Sequence, residues 1–398
     1  MNIAQKVEEA KRSTYNYFLY INKRAAEEVE ALRKVGRCGK LCGVLLAVKD
    51  NIEVAGMPIT NGAPYMQKIA ENTAAAVSMF LAEGAVVLGK TNMHELALGV
   101  TNINPHFGPT KNPHDPTLIT GGSSGGSAGA VAIGVADLGI GTDTGGSVRI
   151  PAALCGVVGY KPPYGRLPTD GVIPLAPTLD HVGFITRTVG DMLDILSVVR
   201  LAPTELQRPK RFRFAILMGV TENTRHVEKA FWKAVERLEA IGGARDELFL
   251  ETYRYSAARA AILLSEAAAS YYHLLRGAGG HMGKDVSTLL SAGVALPAVA
   301  YITAMRVKEE VTDFFNTLFK KYDVIVSPTT ATEAVPIEEA SHLAVRPKLL
   351  AYTELYNLTG HPAITVPAPT GGLPVGLQIA ARDEEALFTI AKAYEEGP

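Results

Sequence analysis

Cysteine is scarce in this chain of 398 residues, which contains only Cys38, Cys42 and Cys155. A low and odd count argues against the disulfide framework of a small secreted protein. Cys38 and Cys42 are spaced like half of a metal site, but no second pair and no nearby histidine completes it. We therefore expect neither a metal nor another cofactor. Cys155 lies in an apolar run and is predicted to be a small buried side chain.

An excess of charge of one sign is also missing. Lys and Arg number 39 and Asp and Glu number 40, which leaves a net charge of -1. Proteins that bind nucleic acids usually carry a basic excess or a basic stripe, so no direct nucleic-acid binding is expected. The one basic cluster, residues 208–213, precedes an apolar segment and is predicted to be a solvated approach to a strand.

Long hydrophobic runs are absent as well. The longest apolar stretch, from about 291 to 305, contains Pro297 and is too short to span a membrane. The first 34 residues are rich in Glu and Lys and show no signal-peptide pattern. With 47% hydrophobic residues the composition is that of a globular protein. We expect a soluble, cytoplasmic protein without a membrane partner.

The order of predicted elements indicates an α/β protein with at least some parallel sheet. A buried strand at 44–48, a helix at 72–83 capped by Asn72 or Thr73, and a strand at 85–88 set this rhythm. One helix is predicted over 1–34. Further strands are predicted at 138–140, 322–328, 363–367 and 374–379, and further helices at 128–135, 228–241, 255–275, 300–321 and 385–396.

No Pro-rich or acidic linker divides the chain, so a single domain over 1–398 is predicted. Within it we distinguish an N-terminal helical segment (about 1–40), a core (about 43–200), a mostly helical insertion (about 201–320) and C-terminal strands that complete the core (about 321–398).

Two glycine-rich segments, 121–127 and 141–149, contain the serines Ser123 and Ser147. A flexible linker is a poor interpretation of the first segment, because it interrupts an apolar, patterned region. The segment lacks the Lys-[Ser/Thr] ending of a phosphate loop, and the glycines at 139–145 miss the dinucleotide-binding spacing by one position. The first segment does satisfy the Gly-x-Ser-x-Gly pattern of a nucleophile elbow, but a loop-like stretch precedes it instead of a strand.

The residue types present suit acyl transfer. A serine hydroxyl needs an adjacent base to become a nucleophile, and a lysine can be that base only when burial keeps it neutral. Lys49 follows the apolar run 44–48, which offers such burial. The alternative is a lysine that extends from a strand end into solvent.

Glycines before Ser147 suit the second requirement of acyl transfer. Negative charge develops on the carbonyl oxygen, and backbone amides directed at that oxygen stabilise it. Thr144, Gly145 and Gly146 could form such a nest of amides. Asp143 and Arg149 flank this loop, and we expect them to pair or to bond backbone groups and so hold its shape.

These segments closely resemble the amidase signature family. The resemblance covers most of 43–200 and 320–398, and several long motifs occur in the right order. The matching motifs are VKDN at 48–51, GKTNM at 89–93, FGPTKN at 107–112, the Gly/Ser segment at 121–127, GTDTGGSVRIPA at 141–152, CGVVGYKP at 155–162, YDVIVSP at 322–328 and GLPVGLQ at 372–378.

The resemblance implies a fold, an activity and roles. The fold would be a mixed, mostly parallel sheet of about eleven strands between helices, with 43–200 as the catalytic core and 201–320 setting substrate selectivity. The activity would be hydrolysis of an amide bond. Lys49 would be the general base. Ser123, which commonly follows a cis peptide bond in the family, would be the bridging residue that relays the proton. Ser147 would be the nucleophile that forms an acyl-enzyme. The oxyanion hole would consist of the backbone amides of Thr144, Gly145, Gly146 and Ser147.

By analogy with the same family, Ala97, Gly99 and Thr142 are expected near the acyl pocket, where small residues leave room for a substantial acyl group. His94, His106 and His114 lie upstream of the Gly/Ser segment. Their spacing fits no standard metal-ligand pattern, so we expect them in loops or at the rim of the site.

The family divides into free-standing amidases and the A subunit of the glutamyl/aspartyl-tRNA amidotransferase, which hydrolyses glutamine and passes ammonia to a partner subunit. Segments 107–112 and 373–378 resemble that subunit, and Arg306 falls where the subunit often carries an arginine for the glutamine carboxylate. However, Leu350 stands where an aspartate usually binds the glutamine ammonium, and the region 200–320 is short. We therefore favour an amidase that acts on a small-molecule amide and that could form a homodimer. Partner subunits would be required only if the protein were the A subunit of an amidotransferase.

Overall fold

The computed structural model describes residues 2–36, 38–250, 253–277 and 281–398. Within these residues, eleven strands form one sheet, and two short strands pair with each other separately. In chain order the strands are β1 (Phe18–Ile21), β2 (Leu45–Lys49), β3 (Pro58–Ile59), β4 (Lys68–Ile69), β5 (Val86–Thr91), β6 (Leu138–Asp143), β7 (Val158–Lys161), β8 (His181–Thr186), β9 (Phe212–Met218), β10 (Gly243–Phe249), β11 (Val324–Pro328), β12 (Ala363–Pro367) and β13 (Gly376–Ala381).

The large sheet has the order β1-β5-β2-β6-β8-β7-β12-β13-β11-β9-β10. The α/β class, with a mixed sheet of eleven strands, is therefore as predicted. The prediction that the sheet is mostly parallel is wrong. Strand β2 is parallel to β5 and β6, and β9 is parallel to β10 and β11. The other six neighbouring pairs among the described strands are antiparallel. Strands β8, β7, β12 and β13 form an antiparallel block between two parallel ones.

Helices cover both faces of this sheet. They are α1 (Ile3–Arg12), α2 (Ala25–Lys34), α3 (Ala75–Ala82), α4 (Gly125–Ala132), α5 (Arg149–Cys155), α6 (Val189–Val198), α7 (Arg225–Ala240), α8 (Tyr253–Gly277), α9 (Lys284–Ala295), α10 (Ala298–Leu318), α11 (His342–Leu350), α12 (Glu354–Leu358) and α13 (Glu384–Glu396).

Alternate residues of the strands point to opposite faces, as a pleated sheet requires. Phe214 and Ile216 of β9 pack in one hydrophobic core with α3, α6, α7 and α13. Ala215 and Leu217 of the same strand pack in a second core with α8, α9, α10 and α12. Among the described residues no single helix has the length and apolarity to cross a membrane; α9 and α10 meet that test only as a pair bent by 96°.

The predicted helix over 1–34 is wrong. The segment forms α1, β1 and α2, and β1 pairs antiparallel with β5. The first helix begins at a capping box, in which the Asn2 side chain accepts from the Gln5 amide and the Gln5 side chain accepts from the Asn2 amide. Sheet pairing overrides the helical pattern at residues 18–21, because β1 provides a partner for the open edge of β5.

Other elements also differ from the predictions, and the strands β7 and β8 were not predicted. The helix expected at 72–83 begins at Ala75 and has no side-chain cap; the Thr73 hydroxyl instead accepts from the Ala55 amide. Within 201–320, the strand β10 was not predicted. Three of its seven residues are charged and four are exposed, which suits the last strand of a sheet, where charges discourage pairing with another chain.

The C-terminal predictions are confirmed: β11, β12, β13 and α13 lie where the pattern placed them. Cys155 is buried and unpaired, as expected. Cys38 and Cys42 are joined by a disulfide, which the sequence analysis did not predict.

Candidate active site

Lys49 is the last residue of β2 and is fully buried. Its ammonium nitrogen lies 2.8 Å from Ser123 Oγ and 2.7 Å from Thr142 Oγ1. Because β2 and β6 are parallel neighbours, their carboxyl ends meet at the same edge of the sheet, where α/β proteins usually build their sites. The sheet therefore brings Lys49 and Thr142 together, and the Gly/Ser segment completes the contact through Ser123.

Burial of Lys49 has an electrostatic consequence. Removal of the ammonium from water lowers the pKa of Lys49 from 10.5 to about 7, although the charges of Asp143 and Asp180 act in the opposite direction. A large fraction of Lys49 is therefore neutral near pH 7 and able to accept a proton. The alternative of a solvent-exposed lysine at a strand end is excluded.

Ser123 is fixed mainly by its backbone. The Gly122–Ser123 peptide bond is cis, and the Ser123 carbonyl accepts from the His94 amide at 3.3 Å. The preceding Gly122 amide donates to the Val100 carbonyl at 2.7 Å. A side chain on Gly122 would begin 2.8 Å from the Asn102 amide nitrogen, so this position tolerates only glycine. The hydroxyl of Ser123 is thereby left to contact Lys49.

Ser147 lies in the loop between β6 and α5 and is 7% exposed. Its carbonyl accepts from the Ser124 amide at 3.0 Å, which places the Ser147 loop directly against the segment that holds Ser123. Within the part of the chain that is described, the Ser147 hydroxyl makes no hydrogen bond to another residue. The structure thus shows a direct hydrogen bond between Lys49 and Ser123 but none between Ser123 and Ser147.

The loop at 143–149 is held by a buried ion pair. Arg149 donates to both carboxylate oxygens of Asp143, at 3.1 and 2.8 Å, which confirms the expected pairing. Burial acts to raise the pKa of Asp143, but the charge of Arg149 lowers it well below its usual range. Arg149 also donates to the Thr353 carbonyl and to Gln378. The loop is therefore tied both to α12 and to β13.

The four amides expected in the oxyanion hole are not equivalent. The Gly146 amide donates to Asp143 Oδ1 at 2.8 Å, so it is already engaged. Gly146 also has φ +131°, and a side chain there would begin 2.2 Å from Thr353 Oγ1. The amides of Thr144, Gly145 and Ser147 have no hydrogen-bond partner among the described residues, which leaves them as candidates to bind a substrate oxygen.

The three residues expected near the acyl pocket differ in what they contact. The Thr142 hydroxyl accepts from Lys49 and from the Asn51 side chain, so it supports the lysine. Gly99 lies under the His94 ring, which a side chain on Gly99 would meet at 2.1 Å. Ala97 is buried with φ +58°. The loop with Ala97 and Gly99 starts at His94, whose amide contacts Ser123, and thus borders the site.

The upstream histidines do not converge on one point. His94 Nε2 lies 3.0 Å from Asp285 Oδ2, His106 Nε2 lies 2.7 Å from Glu95 Oε1, and His114 Nε2 contacts the Cys155 carbonyl. No group of three His, Cys, Asp or Glu side chains with the geometry of a metal site occurs in residues 2–36, 38–250, 253–277 and 281–398.

Sequence reasoning missed a charged group beside the Ser147 loop. Arg259 of α8 forms an ion pair with Glu354 of α12, and its Nη1 lies 3.8 Å from the point where a side chain on Gly145 would begin. Leu350 lies 3.2 Å from the same point, so it does border the loop. Arg306, proposed for a glutamine carboxylate, is exposed on α10.

Comparisons with known proteins identify the family of this chain. The family model described as Amidase matches residues 2–387. The A subunit of the glutamyl-tRNA(Gln) amidotransferase of Methanosarcina mazei is 34% identical, over 98% of this chain and 92% of that protein. The indoleacetamide hydrolase of Pseudomonas syringae is 35% identical, over 88% of this chain and 84% of that protein.

Solved structures are similar over the whole chain. The crystal structure of an amidase has a TM-score of 0.89 at 31% identity and covers 100% of this chain and 96% of its own. The A subunit of the glutamyl-tRNA(Gln) amidotransferase of Thermotoga maritima has a TM-score of 0.79 at 29% identity, over 100% and 94% of the two chains. The protein belongs to the amidase signature family. It is an amide-hydrolysing enzyme.

Proposed function

We propose that this protein is an amidase that hydrolyses a carboxylic acid amide to the acid and ammonia through an acyl-enzyme on Ser147. The observation that carries the proposal is the buried contact of 2.8 Å between Lys49 Nζ and Ser123 Oγ, together with the lowered pKa of Lys49. A lysine that is neutral near pH 7 and hydrogen-bonded to a serine can accept the proton of that serine directly.

In the proposed reaction, Ser123 links Lys49 to Ser147. Neutral Lys49 accepts the proton of Ser123 while Ser123 accepts the proton of Ser147, and Ser147 Oγ attacks the carbonyl carbon of the amide. The proton then returns through Ser123 to the nitrogen that leaves as ammonia. Water activated by the same Lys49–Ser123 pair hydrolyses the acyl-enzyme and restores the serine.

The negative oxygen of the tetrahedral intermediate needs donors that are not otherwise engaged. The amides of Thr144, Gly145 and Ser147 meet that condition, whereas the Gly146 amide is bonded to Asp143. We therefore assign the oxyanion hole mainly to the first three amides. Gly146 contributes through its backbone conformation at φ +131°.

A second candidate is the glutamine-hydrolysing A subunit of a tRNA-dependent amidotransferase, which would require partner subunits. The observation that favours it is the identity of 34% with the Methanosarcina mazei protein. Against it, the apolar Leu350 and the cationic Arg259 flank Gly145, and neither offers a negative charge to a glutamine ammonium group. A cytoplasmic location and a homodimer stay predictions.

The test is ammonia release from glutamine, asparagine, an aliphatic amide and an aryl amide. We expect turnover of one of the last two without glutamine turnover, and its loss in Ser147→Ala. Ser291→Ala, an exposed helical serine, is the matched control and should behave as the wild type. Turnover of glutamine alone would favour the amidotransferase reading, and activity retained in Ser147→Ala would refute the nucleophile.

A further inference from the structure

Arg259 is a buried cation placed next to the loop that precedes Ser147. It lies within the long helix α8 and is 5% exposed. Its Nη1 is 3.8 Å from the point where a side chain on Gly145 would begin. Because Gly145 lacks a side chain, nothing on that residue screens the guanidinium from the oxyanion loop.

The guanidinium uses little of its hydrogen-bonding capacity. Within the described part of the chain its only bond is from Nη2 to Glu354, and the buried Nε has no partner. A guanidinium presents a planar fork of donors that matches a carboxylate in a bidentate manner. Buried donors without partners are rare in folded proteins because they lose their bonds to water. An arginine in this state is suited to bind an additional acceptor.

The neighbours of Arg259 outline where that acceptor lies. Ser147, Glu354, Arg259 and Leu350 retain 7%, 6%, 5% and 4% exposure, whereas Lys49 and Ser123 have none. Arg259 and Leu350 both lie against Gly145, two residues before the nucleophile. Leu350 provides an apolar wall on the Gly145 side, which suits a short hydrocarbon chain between the reacting carbonyl and the terminal acceptor.

A second cation lies nearby. The pKa of the partly buried Arg346 is lowered, first by burial and then by the positive charge of Arg259, while the charges of Glu354 and Asp285 raise it. The positive charge of Arg259 therefore reaches Arg346. The negative charges of Glu354 and Asp285 balance this positive charge in part. The unused hydrogen-bond donors of Arg259, more than the net charge, therefore identify it as the residue that binds a further acceptor.

We propose that Arg259 binds a carboxylate at the far end of the acyl group, so that the preferred substrates are monoamides of short dicarboxylic acids. This inference rests on the proposed amidase function and specifies its substrate class. A carboxylate fits better than a neutral carbonyl because it can accept two parallel bonds from the guanidinium and carries the complementary charge.

The experiment compares succinamate and glutaramate with 4-methylpentanamide and 5-methylhexanamide, in which an isopropyl group replaces the carboxylate at nearly the same shape. For the wild type we expect kcat/KM to favour the anionic amide of each pair by about 10- to 100-fold, the range that a charged hydrogen bond supplies. In Arg259→Gln this ratio should fall to near one, mainly through KM, and Arg259→Lys should restore part of it. Arg276→Gln, an exposed arginine on the same helix, should leave the ratio unchanged.

A second variant covers the possibility that Arg259→Gln does not fold. Leu350→Asp puts a carboxylate beside Arg259 and should reduce the anionic preference, whereas the neutral Leu350→Asn should reduce it much less. A wild-type ratio near one, or an equal loss on both substrates in Arg259→Gln, would overturn the inference, as would equal effects of the two Leu350 variants.

A binding measurement separates this inference from the proposed function. Succinate, the product of succinamate hydrolysis, should bind to the wild type, and Arg259→Gln should weaken that binding about 10-fold or more. If no amide is hydrolysed but succinate binding depends on Arg259, the amidase proposal fails and the carboxylate site stands. If neutral amides are hydrolysed and succinate binding does not respond to Arg259, the carboxylate site fails and the amidase proposal stands.

Discussion

A buried lysine with a pKa of about 7 should control how the rate of acylation depends on pH. Only neutral Lys49 accepts a proton, so kcat/KM should follow its neutral fraction, which is about one half at pH 7, about one tenth at pH 6 and about one hundredth at pH 5. The profile should level off above about pH 8. With an ordinary pKa of 10.5, kcat/KM would continue to rise about tenfold per pH unit until about pH 10.

The same shift implies a cost in stability, whose sign can be checked. The pKa of Lys49 is lower in the folded than in the unfolded state, so between about pH 7 and 10.5 the unfolded state binds more protons and stability rises with pH. At pH 7 the cost is on the order of 4 kcal/mol. Lys49→Met removes this cost but also removes one hydrogen bond from each of two buried hydroxyls, those of Ser123 and Thr142, at about 1 kcal/mol each.

We therefore expect Lys49→Met to be inactive and yet more stable than the wild type by about 2 kcal/mol near pH 7. Steady-state ammonia release between pH 5 and 10 and urea unfolding at pH 7 measure the two effects. Lys40→Met, an exposed lysine, is the matched control and should change neither. A rate that continues to rise above pH 9, or activity retained in Lys49→Met, would refute the assignment of Lys49 as the base.

Three further outcomes are expected. Gly146→Ala should cost at least about 2 kcal/mol of stability by urea unfolding, because the new methyl group meets Thr353. The control Gly134→Ala, also at positive φ but with nothing within 4 Å, should cost about 1 kcal/mol. Equal costs for the two variants would contradict this account. Thr142→Val should reduce kcat/KM about tenfold and lower the kinetic pKa of Lys49, because a hydrogen bond to the charged form of Lys49 is lost. Thr142→Ser should restore both the rate and the pKa. An unchanged pKa in Thr142→Val would count against the contact between Thr142 and Lys49. Activity should survive incubation with a strong chelator, whereas a loss that zinc restores would reopen the possibility of a metal site.

Local patterns predicted the parts of the site that depend on neighbours in sequence. The apolar run before Lys49 indicated a buried strand end, and that burial is what lowers the lysine pKa. Glycines at 145 and 146 next to Ser147 indicated a loop with a special backbone, and Gly146 indeed has φ +131°. These inferences worked because cause and consequence lie within a few residues of each other.

Features that depend on distant pairing could not be predicted from the same patterns. The strand β1 has only four residues between two helices, and its partner β5 lies about seventy residues further along. The strand β10, with three charged residues out of seven, has no strong strand pattern of its own and is stabilised by its pairing with β9. In both cases tertiary contacts override local propensity.

The charged group beside the oxyanion loop is the clearest example of what sequence reasoning missed. Arg259 lies in an alanine-rich part of a long helix. Nothing near it in the sequence distinguishes it from an exposed arginine. Its partner Glu354 is 95 residues away. The contact with Gly145 also arises only when α8 packs against the sheet, so a role for Arg259 could emerge only from the three-dimensional arrangement.

The most direct test of the central claim is to locate the acyl group on the enzyme. An activated aryl ester is mixed with the protein at about pH 7, where about half of Lys49 is neutral. The good leaving group makes acylation faster than hydrolysis of the acyl-enzyme, so the acyl-enzyme accumulates. The reaction is quenched and the peptides are analysed by mass spectrometry. We predict an acyl adduct on the peptide that contains Ser147, with no adduct in Ser147→Ala. An adduct on Ser123, or turnover of the substrate without any adduct on Ser147, would contradict the proposed mechanism.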